Sequence, residues 1–236
     1  QILTEGHYIL GKELQDFEKN ISTKINNKYC IGVANATDAL EIMMTYHNFQ
    51  SSDEIILSSH TMIATLSAII HSGATPVPVD IQLDGTICPE EVKKNINSNT
   101  KAIIVTQLNG HTCNMDEIKN ICNDNNLLLF EDSAQALGSK FKDQFAGTFG
   151  FAGCFSFYPA KILGGPGDGG ALITDDDDFY NWACSHRDHG RNNNGLDHIG
   201  RNSRLDNLMA LFLDVQLKDF DKAKLLPSSL ELESLI

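Results

Sequence analysis

Short apolar runs and stretches of helical apolar spacing alternate along most of this chain, and no other feature constrains its fold as much. Cys30 to Ala34 reads as a strand, and Thr37 to Tyr46 as a helix through Ala39, Leu40, Met43 and Met44. The pattern then repeats: strands over Glu54 to Leu57, Thr75 to Asp80, Lys101 to Thr106 and Leu127 to Glu131, helices over Thr61 to His71, Pro89 to Ile96 and Met115 to Asn123. Connections of a few residues leave little room for another arrangement than a three-layer α/β/α sandwich around a mainly parallel sheet. Ligands of such sheets sit beyond the carboxyl ends of the strands. Asn35, Asp132 and the Ser156–Lys161 segment all follow strand ends, so one crevice is expected to collect them.

Later in the chain the pattern changes. Ala171 to Thr174 is one more strand, and the acidic run Asp175 to Asp178 is suited to cap a helix over Phe179 to Ser185. Consecutive aspartates diverge, so that run is a poor metal site. Arg187 to Arg201, rich in Gly, Asn, His and Arg, reads as a long loop, and loops of that length are functional or mobile. Asn202 to Leu217 looks helical. Gln1 opens in mid-pattern, as in a piece of a longer product.

The 236 residues suit one large α/β domain, and 42% hydrophobic content supplies its core. A net charge of -13 argues against nonspecific nucleic-acid binding and against an anionic membrane surface. An anionic ligand would therefore be held by helix N-termini and a single lysine. No apolar run approaches the ~20 residues of a membrane span. Cys30, Cys88, Cys113, Cys122, Cys154 and Cys184 form no CxxC and read as buried thiols of a reducing, cytoplasmic compartment. HExxH, Gly-x-Ser-x-Gly and Walker patterns are absent, and no Gly-x-Gly-x-x-Gly stands at the strand-to-helix turn.

Three short segments carry chemistry. Asn35-Ala36-Thr37-Asp38 stands between a strand and a helix, where free backbone N–H groups attract a phosphate; read alone it is an ordinary N-cap. Asp132 follows a strand in Glu131-Asp132-Ser133-Ala134-Gln135. A carboxylate there can grip a pyridine nitrogen, or merely cap a helix, and in a helix Gln135 would share its face. Lys161 follows the aromatic run Phe155-Ser156-Phe157-Tyr158 and precedes Gly164-Gly165-Pro166-Gly167-Asp168-Gly169-Gly170. In an apolar setting such a lysine forms imines and acts as a general base; read alone it is a surface turn lysine. An imine-forming lysine, a carboxylate for the ring nitrogen and a phosphate cradle together are what pyridoxal 5'-phosphate requires.

These blocks, with Ala64-Thr65, Gly73-Ala74-Thr75-Pro76-Val77, Gly147-Thr148-Phe149-Gly150 and Asn202-Ser203-Arg204-Leu205-Asp206, resemble in order and spacing the DegT/DnrJ/EryC1/StrS sugar aminotransferases. The resemblance implies the aspartate-aminotransferase fold and pyridoxal phosphate as cofactor. It implies Lys161 as Schiff-base lysine and proton carrier, Asp132 at the ring nitrogen and Gln135 at the phenolic oxygen. Ala36, Thr37 and Ser156 would hold the phosphate, and Met62 would cover the ring where relatives carry an aromatic residue. Asn202 would reach the phosphate in a neighbouring subunit, making a homodimer the working unit. The implied reaction moves an amino group, from glutamate, to a nucleotide-linked keto sugar, with block similarity leaning to sugar C3. Relatives that dehydrate carry histidine at the lysine position. By the same resemblance residues 1–225 correspond to the cofactor-binding large domain with an incomplete N-terminal arm, and 226–236 to an atypical tail where the small C-terminal domain is missing. A truncated member that binds cofactor or a partner without turnover is the alternative reading.

Overall fold

A computed structural model describes residues 2–220 of the chain. The tail expected at 226–236, and the last residues of the expected large domain, lie outside the described residues. The strands are β1 (Tyr29–Val33), β2 (Glu54–Ser58), β3 (Thr75–Val79), β4 (Thr100–Thr106) and β5 (Leu128–Asp132). They continue with β6 (Lys140–Phe141), β7 (Gln144–Phe145), β8 (Ala152–Ser156), β9 (Gly170–Thr174), β10 (Arg191–Asn192) and β11 (Gly195–Leu196). The helices are α1 (Ile2–Glu5), α2 (Lys12–Lys24), α3 (Ala36–Thr45), α4 (Ile63–His71), α5 (Pro89–Asn95), α6 (Met115–Asn125), α7 (Asp177–His186) and α8 (Asn207–Leu217).

One seven-stranded sheet organises the molecule in the order β1-β9-β8-β5-β4-β2-β3. β9 runs antiparallel to both its neighbours and the remaining pairings are parallel, so the expected mainly parallel sheet is found with one reversed strand. Successive residues of a strand face opposite ways, and the core divides accordingly. Phe130 joins buried residues of α3, α4 and α7 on one face. Leu129 joins those of α5 and α6 on the other. That second face continues into Leu14, Phe17 and Ile21 of α2 against Ala210, Leu213 and Leu217 of α8. Fully buried Phe, Leu and Ile side chains contribute about 1.5–3 kcal/mol each, which makes these clusters the main source of stability.

Several expectations shift. The acidic run does cap α7, since Asp176 accepts the Phe179 N–H at 2.7 Å. The helix expected from Asn202 begins only at Asn207, because Ser203 and Leu205 are buried and the Ser203 N–H is held by Arg187 O at 2.8 Å. Gln135 lies in consecutive turns and not on a helix: the Ala136 N–H bonds Ser133 O and the Ser139 N–H bonds Ala136 O, each at 2.9 Å. The loop 187–201 contains the β10–β11 hairpin. Its stem is tied down by Arg204 and Arg191 on Asp188, and by Arg187 on Glu18. Helix α2 and the β6–β7 hairpin were not anticipated; both mix polar and apolar residues without the plain runs that mark the central strands.

Candidate active site

The carboxyl ends of β1, β2, β4, β5 and β8 share one edge of the sheet, and reversed β9 starts there. Gly170 pairs with Val33 on one side and with Ser156 on the other, so the turn into α3 and the end of β8 flank one glycine. A Cβ on Gly170 would lie 2.4 Å from Asn35 C and 2.6 Å from Ala36 N. Only glycine lets the helix start approach this closely. One strand further along the sheet, Asp132 is in register with Cys154.

Asn35 caps α3 by accepting the Asp38 N–H at 2.8 Å. Ala36 and Thr37, both half-buried, keep first-turn N–H groups with no partner inside the helix. Such a terminus attracts an anion through its N–H groups and its dipole. Ser156 Oγ accepts the Tyr158 N–H at 3.3 Å, which leaves the hydroxyl proton available for donation.

Asp132 is 4% exposed. Its Oδ2 accepts from Thr65 Oγ1 at 2.6 Å, and its Oδ1 from the Ala134 N–H at 3.2 Å and the Cys154 thiol at 3.8 Å. Thr65 in turn bonds Thr61 at 2.7 Å, and Thr61 bonds Thr106 at 2.8 Å. A carboxylate offers about four acceptor positions; these contacts occupy three. Gln135 Oε1 accepts the Asn109 N–H at 2.8 Å, so its side-chain amine remains a free donor.

Lys161 is half-buried in a turn closed by its own N–H to Tyr158 O at 2.9 Å. Exposed Tyr158 and Ile162 flank it, so among the described residues Lys161 sits in a half-open turn, as the reading of the residue alone allowed. The glycine run folds this loop back on itself: the Phe157 N–H bonds Gly169 O and the Gly165 N–H bonds Phe157 O, each at 2.8 Å. Met62 precedes α4 and is 61% exposed. Asn202 is exposed and pairs through its backbone with Asp188. Its neighbours fasten that strand of chain near the start of α3. Ser203 Oγ accepts the Ala34 N–H at 3.2 Å, and Arg201 bonds Asp38 and Glu41.

Asp132, Ser156 and the Asn35–Thr37 turn thus meet at one edge, with Lys161 on the loop leaving it. Sequence reasoning overlooked two supporting groups. One is the threonine chain. Its trace in the sequence was Thr106 ending β4 as Asp132 ends β5, with two threonines four apart at the head of a helix. The other is Glu131, fully buried, which accepts from Gly147 N at 2.8 Å, Phe149 N at 2.6 Å, Gly150 N at 3.1 Å and Gln107 Nε2 at 3.0 Å. Burial pushes its carboxyl above the usual range, and these donors oppose the shift. The donor set fits pyridoxal phosphate: an open helix N-terminus with a serine hydroxyl for the phosphate, a spare carboxylate position for the ring N–H, a free amide donor and an amine.

Comparison with known proteins shows the family and the fold. The model of the DegT/DnrJ/EryC1/StrS aminotransferase family matches residues 1–225. The dTDP-3-amino-3,6-dideoxy-alpha-D-galactopyranose transaminase of Aneurinibacillus thermoaerophilus is 40% identical over 94% of this chain and 61% of its own length. The crystal structure of S. venezuelae DesV in complex with a ketimine intermediate superposes with a TM-score of 0.90 at 36% identity, over 94% of this chain and 60% of that one. A structure of ntda from Bacillus subtilis with bound cofactor PMP gives 0.85 at 30% identity, over 93% of this chain and 51% of that one. The chain spans about three-fifths of the length of the curated relatives it matches.

Proposed function

This chain belongs to the DegT/DnrJ/EryC1/StrS aminotransferase family, and from that premise we propose that it is the cofactor-binding part of a pyridoxal-phosphate enzyme that transfers an amino group to a nucleotide-linked keto sugar. The reading is supported by one observation: a buried carboxylate with an acceptor position to spare lies at the same edge of the sheet as an open helix N-terminus and a lysine-bearing turn. When bound, pyridoxal phosphate supplies an electron-poor ring that accepts electrons released at a substrate carbon. Asp132 would accept the ring N–H, and the Gln135 amide N–H would donate to the phenolic oxygen. Ala36, Thr37 and Ser156 would hold the phosphate, and Met62 would cover the ring. Lys161 would supply the amine that anchors the aldehyde and would serve as the general base.

A lysine at 161, where dehydrating relatives carry histidine, favours amino transfer. Glutamate is the proposed donor and C3 the proposed position. Asn202 serves the cofactor phosphate of a second copy in a homodimer. The compartment is cytoplasmic, in keeping with six free cysteines.

The test adds pyridoxal phosphate to the protein and records the visible band of its lysine linkage. Lys161→Ala is expected to abolish that band, and an intact band in the variant removes the assignment. Glutamate is expected to bleach the band in the wild type. A band that forms but ignores glutamate would mean cofactor holding without turnover.

A further inference from the structure

Three threonine hydroxyls form a chain that ends on the carboxylate at the site. With Asp132 ionised, as gripping a ring N–H requires, it can only accept hydrogen bonds. Thr65, 2.6 Å from Oδ2, must therefore donate to it. Its oxygen is then left to accept from Thr61 at 2.7 Å, so Thr61 donates in turn. Thr61, its own proton spent, accepts from Thr106 at 2.8 Å. Proton counting thus fixes every bond in one direction, from Thr106 through Thr61 and Thr65 to Asp132. Thr65 is fully buried, Thr106 nearly so and Thr61 half-buried; at the buried Thr65–Asp132 end the low local dielectric strengthens the bond. The three residues come from different places: Thr106 from the end of β4, Thr61 from the β2–α4 connection and Thr65 from the first turn of α4.

We propose that Thr65, supported by Thr61 and Thr106, is a positioning residue for Asp132: it locks Oδ2 so that the remaining acceptor position of the carboxylate points at the cofactor's ring N–H. This rests on the reading of the site as a pyridoxal-phosphate site. Without Thr65's hydroxyl, only Oδ1 stays held, by the Ala134 N–H and the Cys154 thiol, and Oδ2 loses its fixed direction. The ring then holds its proton less firmly and loses positive charge, and the imine nitrogen joined to it becomes more basic.

The test reconstitutes wild type, Thr65→Val, Thr65→Ser and Thr61→Val with pyridoxal phosphate. It measures the cofactor dissociation constant, the pH midpoint of the visible band, and the melting of the cofactor-free proteins. Thr65→Val, which keeps shape and loses the hydroxyl, is expected to raise the dissociation constant about tenfold, as for losing a hydrogen bond to a charged group. Its band midpoint should move to higher pH. Thr65→Ser should stay within about twofold of wild type, and Thr61→Val should shift both quantities in the same direction by less. Wild-type constants and midpoint in Thr65→Val overturn the proposal. So does a Thr65→Ser variant as impaired as Thr65→Val, which would mean a packing role. Should Thr65→Val not fold, Thr61→Val decides: an unmoved midpoint there overturns the chain. Absence of any Lys161-dependent band in the wild type defeats the site reading and this inference with it, whereas a wild-type band with an indifferent Thr65→Val defeats this inference alone.

Discussion

Glu131 and Asp132 are neighbours at the end of one strand, and they live on opposite faces of the sheet. Glu131 faces the α5–α6 side and is enclosed by backbone donors of the 147–150 turn. Asp132 faces the α3–α4 side, is met by a threonine hydroxyl, and keeps an acceptor position unfilled. The first carboxylate has its acceptor capacity consumed by the protein itself and acts as a clasp that holds the approach to β8, the strand that leads to Ser156 and Lys161. The second has capacity left for something the protein does not supply. Two carboxylates one residue apart are thus sorted into architecture and chemistry by which side of a pleat they occupy.

Removing the clasp should have the largest effect. Glu131→Ala strands three backbone N–H groups and leaves the buried Gln107 amide with only the Met115 sulfur to donate to. A loss of about 3 kcal/mol or more is expected in urea unfolding. A stable Glu131→Ala protein would erase the contrast. Asp132→Asn should do the reverse. It should unfold at nearly the wild-type urea concentration, yet bind pyridoxal phosphate about 10–100-fold more weakly for want of a charged acceptor, measured by fluorescence titration. Equal damage to folding in both variants would collapse the distinction.

Asn35→Ala sharpens the comparison at the phosphate end of the site. Loss of the cap at Asp38 N should cost about 1 kcal/mol in stability. The smallest effect concerns pH. Burial, with His198 and Arg201 nearby, pushes His186 down from 6.5 to about 4. Such a histidine is neutral when folded and takes up a proton when unfolded, so stability is lost as pH falls from about 6.5 toward 4. Between pH 7 and 6 the loss is roughly 0.7 kcal/mol, and His186→Phe should flatten that slope. Glu131 acts with the opposite sign: its raised carboxyl costs stability as pH rises through the range above 4.5. Chemical unfolding at a series of pH values, in wild type and His186→Phe, separates the two.

Much of this organisation is legible in the sequence. The central strands declare themselves because both faces of a covered sheet are apolar, and β2, β4, β5, β8 and β9 are almost wholly buried. Asn35 and Asp132 stood out because they interrupt that apolar pattern at strand ends. Helix α2 was missed because its apolar stripe is only Leu14, Phe17 and Ile21 among charged neighbours. Whether Gln135 lies on a helical face was not legible in the sequence, since Asp132 Oδ1 captures the Ala134 N–H and the segment turns. The late start of α8 depends on Ser203 and Leu205 being drawn into the interior, a contact between residues far apart in the chain.

By itself, the order of residues determined the alternating fold, the family likeness and the chemical types of side chain at the strand ends, because propensity, burial period and motif spacing are properties of neighbours in the chain. Only the folded molecule decided that Thr106, Thr61 and Thr65 line up on Asp132 while Glu131 turns away to clasp the 147–150 turn. Those hydrogen bonds join segments from distant parts of the chain, and such partners are chosen by packing across the sheet.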